Sequence, residues 1–150
     1  MRVSSRDRGQ DHDLGSALML MPAGLLIVLV LASIAVDMSL VHLRKRQAFD
    51  LAAAAANDAV AAGADQGRLR AGNYVLDPEA TEAVVRQVVA TSELASALAG
   101  PPVVTVTDEG VRVELALEAD YIFAGVVPGA PDGTVVTASA TATAVAGPSP

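Results

Sequence analysis

Cysteine and tryptophan are absent from this 150-residue chain, and its aromatic residues number only four: Phe49, Tyr74, Tyr121 and Phe123. Without cysteine there is no disulfide framework, no thiolate metal site and no thiol nucleophile. An extracytoplasmic location stays open, because disulfides are permitted there and not required. Four scattered aromatics make no stacking platform for nucleic-acid bases. Lysine occurs once, at Lys45, and histidine twice, at His12 and His42. Beyond Arg46 the chain carries 13 acidic and 4 basic side chains, a net charge of −9. A nucleic-acid surface needs clustered Lys and Arg, so this composition excludes nucleic acid as a partner.

Catalytic signatures are missing as well. The sequence holds no HExxH, GxSxG, phosphate-cradling loop or dinucleotide fingerprint. His12 and His42 flank the apolar run described next and cannot share a site. The carboxylates are spread along positions that read as solvated faces. The expectation is no enzyme, no catalytic or metal-ligating residues, no cofactor and no small-molecule substrate.

What the chain does have is an uncharged run from Leu14 to Val36, LGSALMLMPAGLLIVLVLASIAV. A bilayer core about 30 Å thick needs about 20 helical residues, and this run has 23. Nothing after Arg46 is long and apolar enough to do the same. Pro22 removes the hydrogen bond to the carbonyl of Leu18, so a kink or a late helix start is expected there. The run closes at Asp37, and the basic triplet Arg44-Lys45-Arg46 follows. AFDLAAAAANDAVAAGA then has a composition of very low helix cost. One helix from about Leu14 to about Ala64 is expected, with Gly63 and Gly67 as terminators.

Residues 65–76 read as a loop. Asp77-Pro78-Glu79 supplies an N-cap, a first-turn proline and a first-turn acid. The helix it opens is expected over 77–99, with Ala80, Val84, Val88, Thr91, Leu94, Ala95 and Leu98 as its apolar stripe. Gly100-Pro101-Pro102 stops it. The period then changes from 3.6 to 2. Strands are expected at 103–107, 111–119 and 134–145, with a turn at Asp108-Glu109-Gly110 and a Gly/Pro-rich connection over 125–133. On the third strand Val136, Ala138, Ala140, Ala142 and Ala144 form a small-residue face suited to lying under a helix. The fold class expected is α+β: a long N-terminal transmembrane helix extending into a small domain with a second helix and a three-stranded antiparallel meander. The divisions are a tail over 1–13 (polar and disordered), a transmembrane helix over 14–43, a helix extension over 44–64 and an α+β domain over 65–150.

Several features carry two readings. A carboxylate in hydrocarbon is expensive and usually functional, so Asp37 is either a polar contact to a partner helix or a residue at the membrane interface. Ala32, Ala35 and Ser39 form a small-residue stripe that admits another helix. The Ala52–Ala56 run packs against a partner or against the protein's own sheet. Arg44-Lys45-Arg46 would hold its flank in the cytoplasm by the positive-inside rule, but Arg2, Arg6 and Arg8 answer from the other flank. Ser33-Ile34-Ala35 fits a small-x-small cleavage site that would release a domain starting at Val36.

Taken together, GSALMLMPAGLLIVLVLASIAVD (15–37), the basic cluster and AFDLAAAAANDAVAAGAD (48–65) resemble the N-terminal region of TadG-like and TadE-like proteins. These are pseudopilin-type components of tight-adherence (Flp) pilus assembly. Gly15, Asp37, the Arg-Lys-Arg cluster and Asn57-Asp58 carry the resemblance, which covers about residues 9–65. It implies a cytoplasmic N-terminus, a pilin-like domain outside the cell membrane, and other pilus-assembly subunits as partners through the transmembrane helix. It also raises processing between Gly15 and Ser16. The fifth position after that point is Leu20, where type IV prepilins usually carry Glu, so an uncleaved anchor is the better match. The membrane and assembly residues it implies are Gly15, Pro22, Asp37, Arg44, Lys45 and Arg46. The alternative is a membrane-anchored or secreted binding domain of the cell envelope with no pilus role.

Overall fold

The computed structural model describes residues 10–63, 75–107 and 110–143, and side chains from Leu20 onward. Helix α1 spans Gln10–Ala62, 53 residues, or about 80 Å at 1.5 Å per residue. It starts four residues ahead of the expected Leu14 and runs without a break through Pro22. The expected tail is therefore helical from Gln10 on. Its first nine residues, most of the 65–76 loop with Gly67, the Asp108-Glu109 turn and the C-terminal AGPSP lie outside the described residues.

Helix α2 spans Pro78–Thr91. Strands β1 (Val103–Thr107), β2 (Gly110–Asp120) and β3 (Gly133–Thr143) form one antiparallel sheet in the order β1-β2-β3. The α+β arrangement is thus a long N-terminal helix, a second helix and a three-stranded meander. The second half of α1 lies across β2 and β3, and α2 packs beside it and touches β1.

The period-2 pattern of β2 decides which face is covered. Val111, Val113, Leu115, Leu117 and Ala119 are buried, while Arg112, Glu114 and Glu118 face water. On β3, Val136, Ala140 and Ala142 point the same way and are buried. Above them lie Ala48, Ala52, Ala55, Ala56 and Ala59 of α1, all fully buried. Alanine on both layers lets the helix axis sit close to the sheet. The Ala52–Ala56 run therefore packs on the protein's own sheet. The segment 44–62 is the central helix of the folded body and not a stalk leading to it.

Helix α2 is shorter than expected, and its inward face differs by one position. It ends at Thr91, not at 99, with Ser92 as an extended C-cap. The hydroxyls of Thr91 and Ser92 donate back to the carbonyls of Gln87 and Val89, a competition that weakens continuation of the helix. The chain then turns through a short 3-10 segment at Ala95–Ala97, and Leu98 bridges Leu117 on β2. The buried residues of α2 are Thr81, Val85 and Val89, with Val84 and Val88 only half-buried and Ala80 and Thr91 exposed.

Two glycines mark close approaches. Gly63 ends α1; its amide donates to the Ala59 carbonyl and its own carbonyl accepts from Asp77, at the start of α2. A Cβ there would collide with the Thr81 hydroxyl. Gly110, read from sequence as a turn residue, is the first residue of β2 and pairs with Thr107 and Thr143. A Cβ there would meet the carbonyl of Ala142.

The alanine layer has no spare volume, so Ala55→Leu is expected to destabilise the fold by about 1–3 kcal/mol. Val135→Ala, on the open face of β3, should stay within about 0.5 kcal/mol. Denaturant unfolding of both variants in detergent checks the contrast.

Candidate membrane-facing and assembly site

Helix α1 changes character at one residue. From Leu20 to Val36 every side chain is exposed except the half-buried Ser33. The large apolar residues among them include Met21, Leu25, Leu26, Ile27, Leu29 and Leu31. A core helix of this composition would be covered, and this segment is bare. It is the one helix among the described residues long and apolar enough to cross a membrane. Its hydroxyls are satisfied internally: Ser33 and Ser39 donate to the carbonyls of Leu29 and Ala35, at 2.8 and 2.7 Å. That removes the cost of placing an unpaired hydroxyl in an apolar medium.

Among the described side chains Asp37 is the first buried one of the helix, 6% exposed. From it an inward line runs through the half-buried Val41 and Arg44 to Ala48, Ala52, Ala55, Ala59 and Gly63. The spacing of three and four keeps this line on one face. The Asp37 carboxylate accepts from three consecutive backbone amides. Oδ1 takes Ile122 at 2.9 Å and Phe123 at 3.1 Å, and Oδ2 takes Ala124 at 2.9 Å. These amides open a single 3-10 turn, Ala124–Val126, in the β2–β3 connection. Of the two readings of Asp37, a contact to another chain or an interfacial position, the geometry adds a third: it holds a loop of its own chain. The two partners are 85 to 87 positions apart, so no local pattern pairs them. The signal available in the sequence was the uncharged, apolar stretch YIFAGVVPGAP over 121–131.

The loop lies against the end of the bare segment. Phe123, Ala124, Val126 and Val127 form an open groove of about 420 Å3 with Val30, Ser33, Ile34 and Asp37. At roughly 100° per residue, Ala32, Ala35 and Ser39 fall on the opposite side of α1, and all three are exposed. One side of the helix end is taken by the loop, and the small-residue side is left open.

The other singled-out residues are dispersed. Gly15 and Ser16 lie within α1, ahead of the described side chains, and Pro22 lies in the first turn of the bare segment. Arg44 is half-buried and donates to the Gln47 side-chain oxygen at 3.3 Å. Lys45 and Arg46 are exposed and line a second groove, of about 490 Å3, with His42, Phe49 and Thr137–Ser139 of β3. Among the described residues no His, Asp or Glu side chains gather into a group able to hold a metal. On α2 an ion pair joins Glu82 and Arg86, one turn apart.

Losing the carboxylate should free the loop while sparing the fold. In Asp37→Ala the amides of Ile122, Phe123 and Ala124 are expected to exchange with solvent about tenfold faster or more, the loss of charge-assisted hydrogen bonds. Asp37→Asn, which keeps one acceptor oxygen, should fall between. Hydrogen exchange read at single residues checks this, with the core amides of Val113 and Leu115 unchanged as the control. No protein-family model, curated protein or solved structure matches this chain.

Proposed function

We propose that this chain is a single-pass membrane protein and a structural subunit of a Tad/Flp-type pilus or related secretion assembly. The observation that supports it is the division of one continuous helix at Asp37. From Leu20 to Val36 the helix is apolar and bare; after Asp37, the same helix is the core of an α+β domain. Apolar side chains left uncovered over some 25 Å of helix need a non-aqueous surrounding, and a bilayer supplies it.

In this reading the bare segment anchors the chain, with its N-terminus cytoplasmic and the domain outside. The face carrying Ala32, Ala35 and Ser39 receives a neighbouring subunit's helix, since small residues allow backbones to approach closely in lipid. The domain then presents its acidic open sheet face away from the anchor. The work is done by contacts, without chemistry. The resemblance of residues 9–65 to TadG-like and TadE-like anchors supplies the kind of assembly, and the anchor geometry supplies the mode of action.

Two measurements separate the parts of this reading. The chain should resist alkaline carbonate extraction from membranes. Leu26→Arg with Leu29→Arg should shift it toward the soluble fraction, because a charge at mid-helix costs about 2.5–3.5 kcal/mol. A photo-crosslinker placed at Ala35 should capture other pilus-assembly subunits in cells that make fibres, and one placed at Thr105 should not. Carbonate resistance without any such capture would leave an anchor and remove the assembly role.

A further inference from the structure

The β2–β3 connection has properties that a water-facing loop does not need. Residues 121–131 contain no charge. Ile122 and Val127 are more than half exposed, Phe123 nearly half, and Val126 is 79% exposed. These side chains are bare on the side of the fold where α1 is bare, and through Val30 and Ile34 the two surfaces are continuous. From Asp37 back to Val30 is seven residues, about 10 Å along the helix axis. The loop therefore lies beside the last two turns of the apolar run, below the residue where that run ends.

Most amides of the loop, all but those of Gly125 and Gly129 and the two prolines, have partners within the chain. An amide with no partner costs several kcal/mol in hydrocarbon, which is why irregular backbone avoids lipid unless its polar groups are satisfied. Here Asp37 takes the amides of Ile122, Phe123 and Ala124. Val126, Val127 and Ala130 donate to carbonyls of the loop itself, and Tyr121 donates to the Asp132 carbonyl across its base. Pro128 and Pro131 have no amide hydrogen to satisfy. The charged residues Asp120 and Asp132 stand at the two ends of the stretch, where it returns to the sheet.

We infer that the 121–131 loop is a second membrane contact, a shallow wedge whose Phe123, Val126 and Val127 enter the interface of the leaflet on the domain's side. This rests on the reading of α1 as a membrane anchor. The occupant of the groove between α1 and the loop is then lipid acyl chain. An apolar surface buried about 5–10 Å into the headgroup boundary is the depth such interfacial elements reach, and the loop's position against α1 matches it. With the span and the wedge both engaged, the domain is held at two points on the bilayer.

The chain has no tryptophan, so single-tryptophan variants report one position each. Full-length Val126→Trp, Leu26→Trp and Thr105→Trp are reconstituted into phosphatidylcholine vesicles, with and without acyl-brominated lipid. Val126→Trp is expected to emit at shorter wavelength than Thr105→Trp and to lose most of its fluorescence when the bromines are near the headgroup. Leu26→Trp should be quenched best by bromines deep in the chain, and Thr105→Trp by none. Quenching at Leu26→Trp with none at Val126→Trp overturns the wedge and leaves the anchor standing. Quenching at neither overturns both. A blue-shifted but unquenched Val126→Trp means that a second copy of the chain covers the loop, and overturns the lipid contact. Circular dichroism of each variant confirms the fold, and Val127→Trp replaces Val126→Trp if that variant fails to fold.

Discussion

Three backbone amides converge on the carboxylate of Asp37, and the position of that contact organises the molecule. From Leu20 to Val36 the helix is exposed apart from half-buried Ser33; beyond Asp37 its inward line packs on the sheet and α2. A carboxylate is the only common side chain with enough acceptor capacity to hold three amides at once. Placed at the boundary, it joins the β2–β3 connection to α1 where the sheet would otherwise have no hold on the helix. Helix α1 is thereby tied at two points: near Asp37 to the loop of the meander, and at Gly63 to the start of α2, whose Asp77 amide donates to the Gly63 carbonyl.

Between those ties the packing is governed by size. The helix offers alanine and the sheet offers valine, leucine and alanine, so the layers meet with short side chains. Such a core gains less from each residue than a leucine-rich one, and depends more on fit over its length. The long β2–β3 pairing, with eleven residues in register on each strand, supplies a long and regular surface for the helix. The buried hydroxyl of Thr81 is the polar exception, and it is satisfied by the Asp77 carbonyl at 2.6 Å.

Local pattern sufficed for most of the elements. The apolar run, the alanine composition and the switch to period 2 placed the long helix and all three strands within a few residues of their observed limits. The end of α2 was less legible. ATSELASALA has ample helix propensity, and what stops the helix is the back-bonding of Thr91 and Ser92 together with the pull of Leu98 onto β2. Its inward face shifted by one position for a related reason: Thr81, polar by type, is buried because Gly63 makes room for it. The role of Asp37 was not legible at all. Its chemistry marked it out, but its partners are main-chain groups of a distant loop, and main-chain groups leave no trace in residue identity.

The absence of glycine and proline between Gly24 and Gly63 has a mechanical meaning. Sharp helix bends arise at such residues or at inserted bulges, and flexible tethers need unstructured chain. Here neither separates the bare segment from the packed one. The domain has no swivel: its heading is the tilt of α1, and a push on the sheet is a torque on the bare segment of the helix. If, as proposed, the bare segment spans a bilayer beside the helices of neighbouring subunits, then lateral order in the membrane and order among the domains become a single degree of freedom.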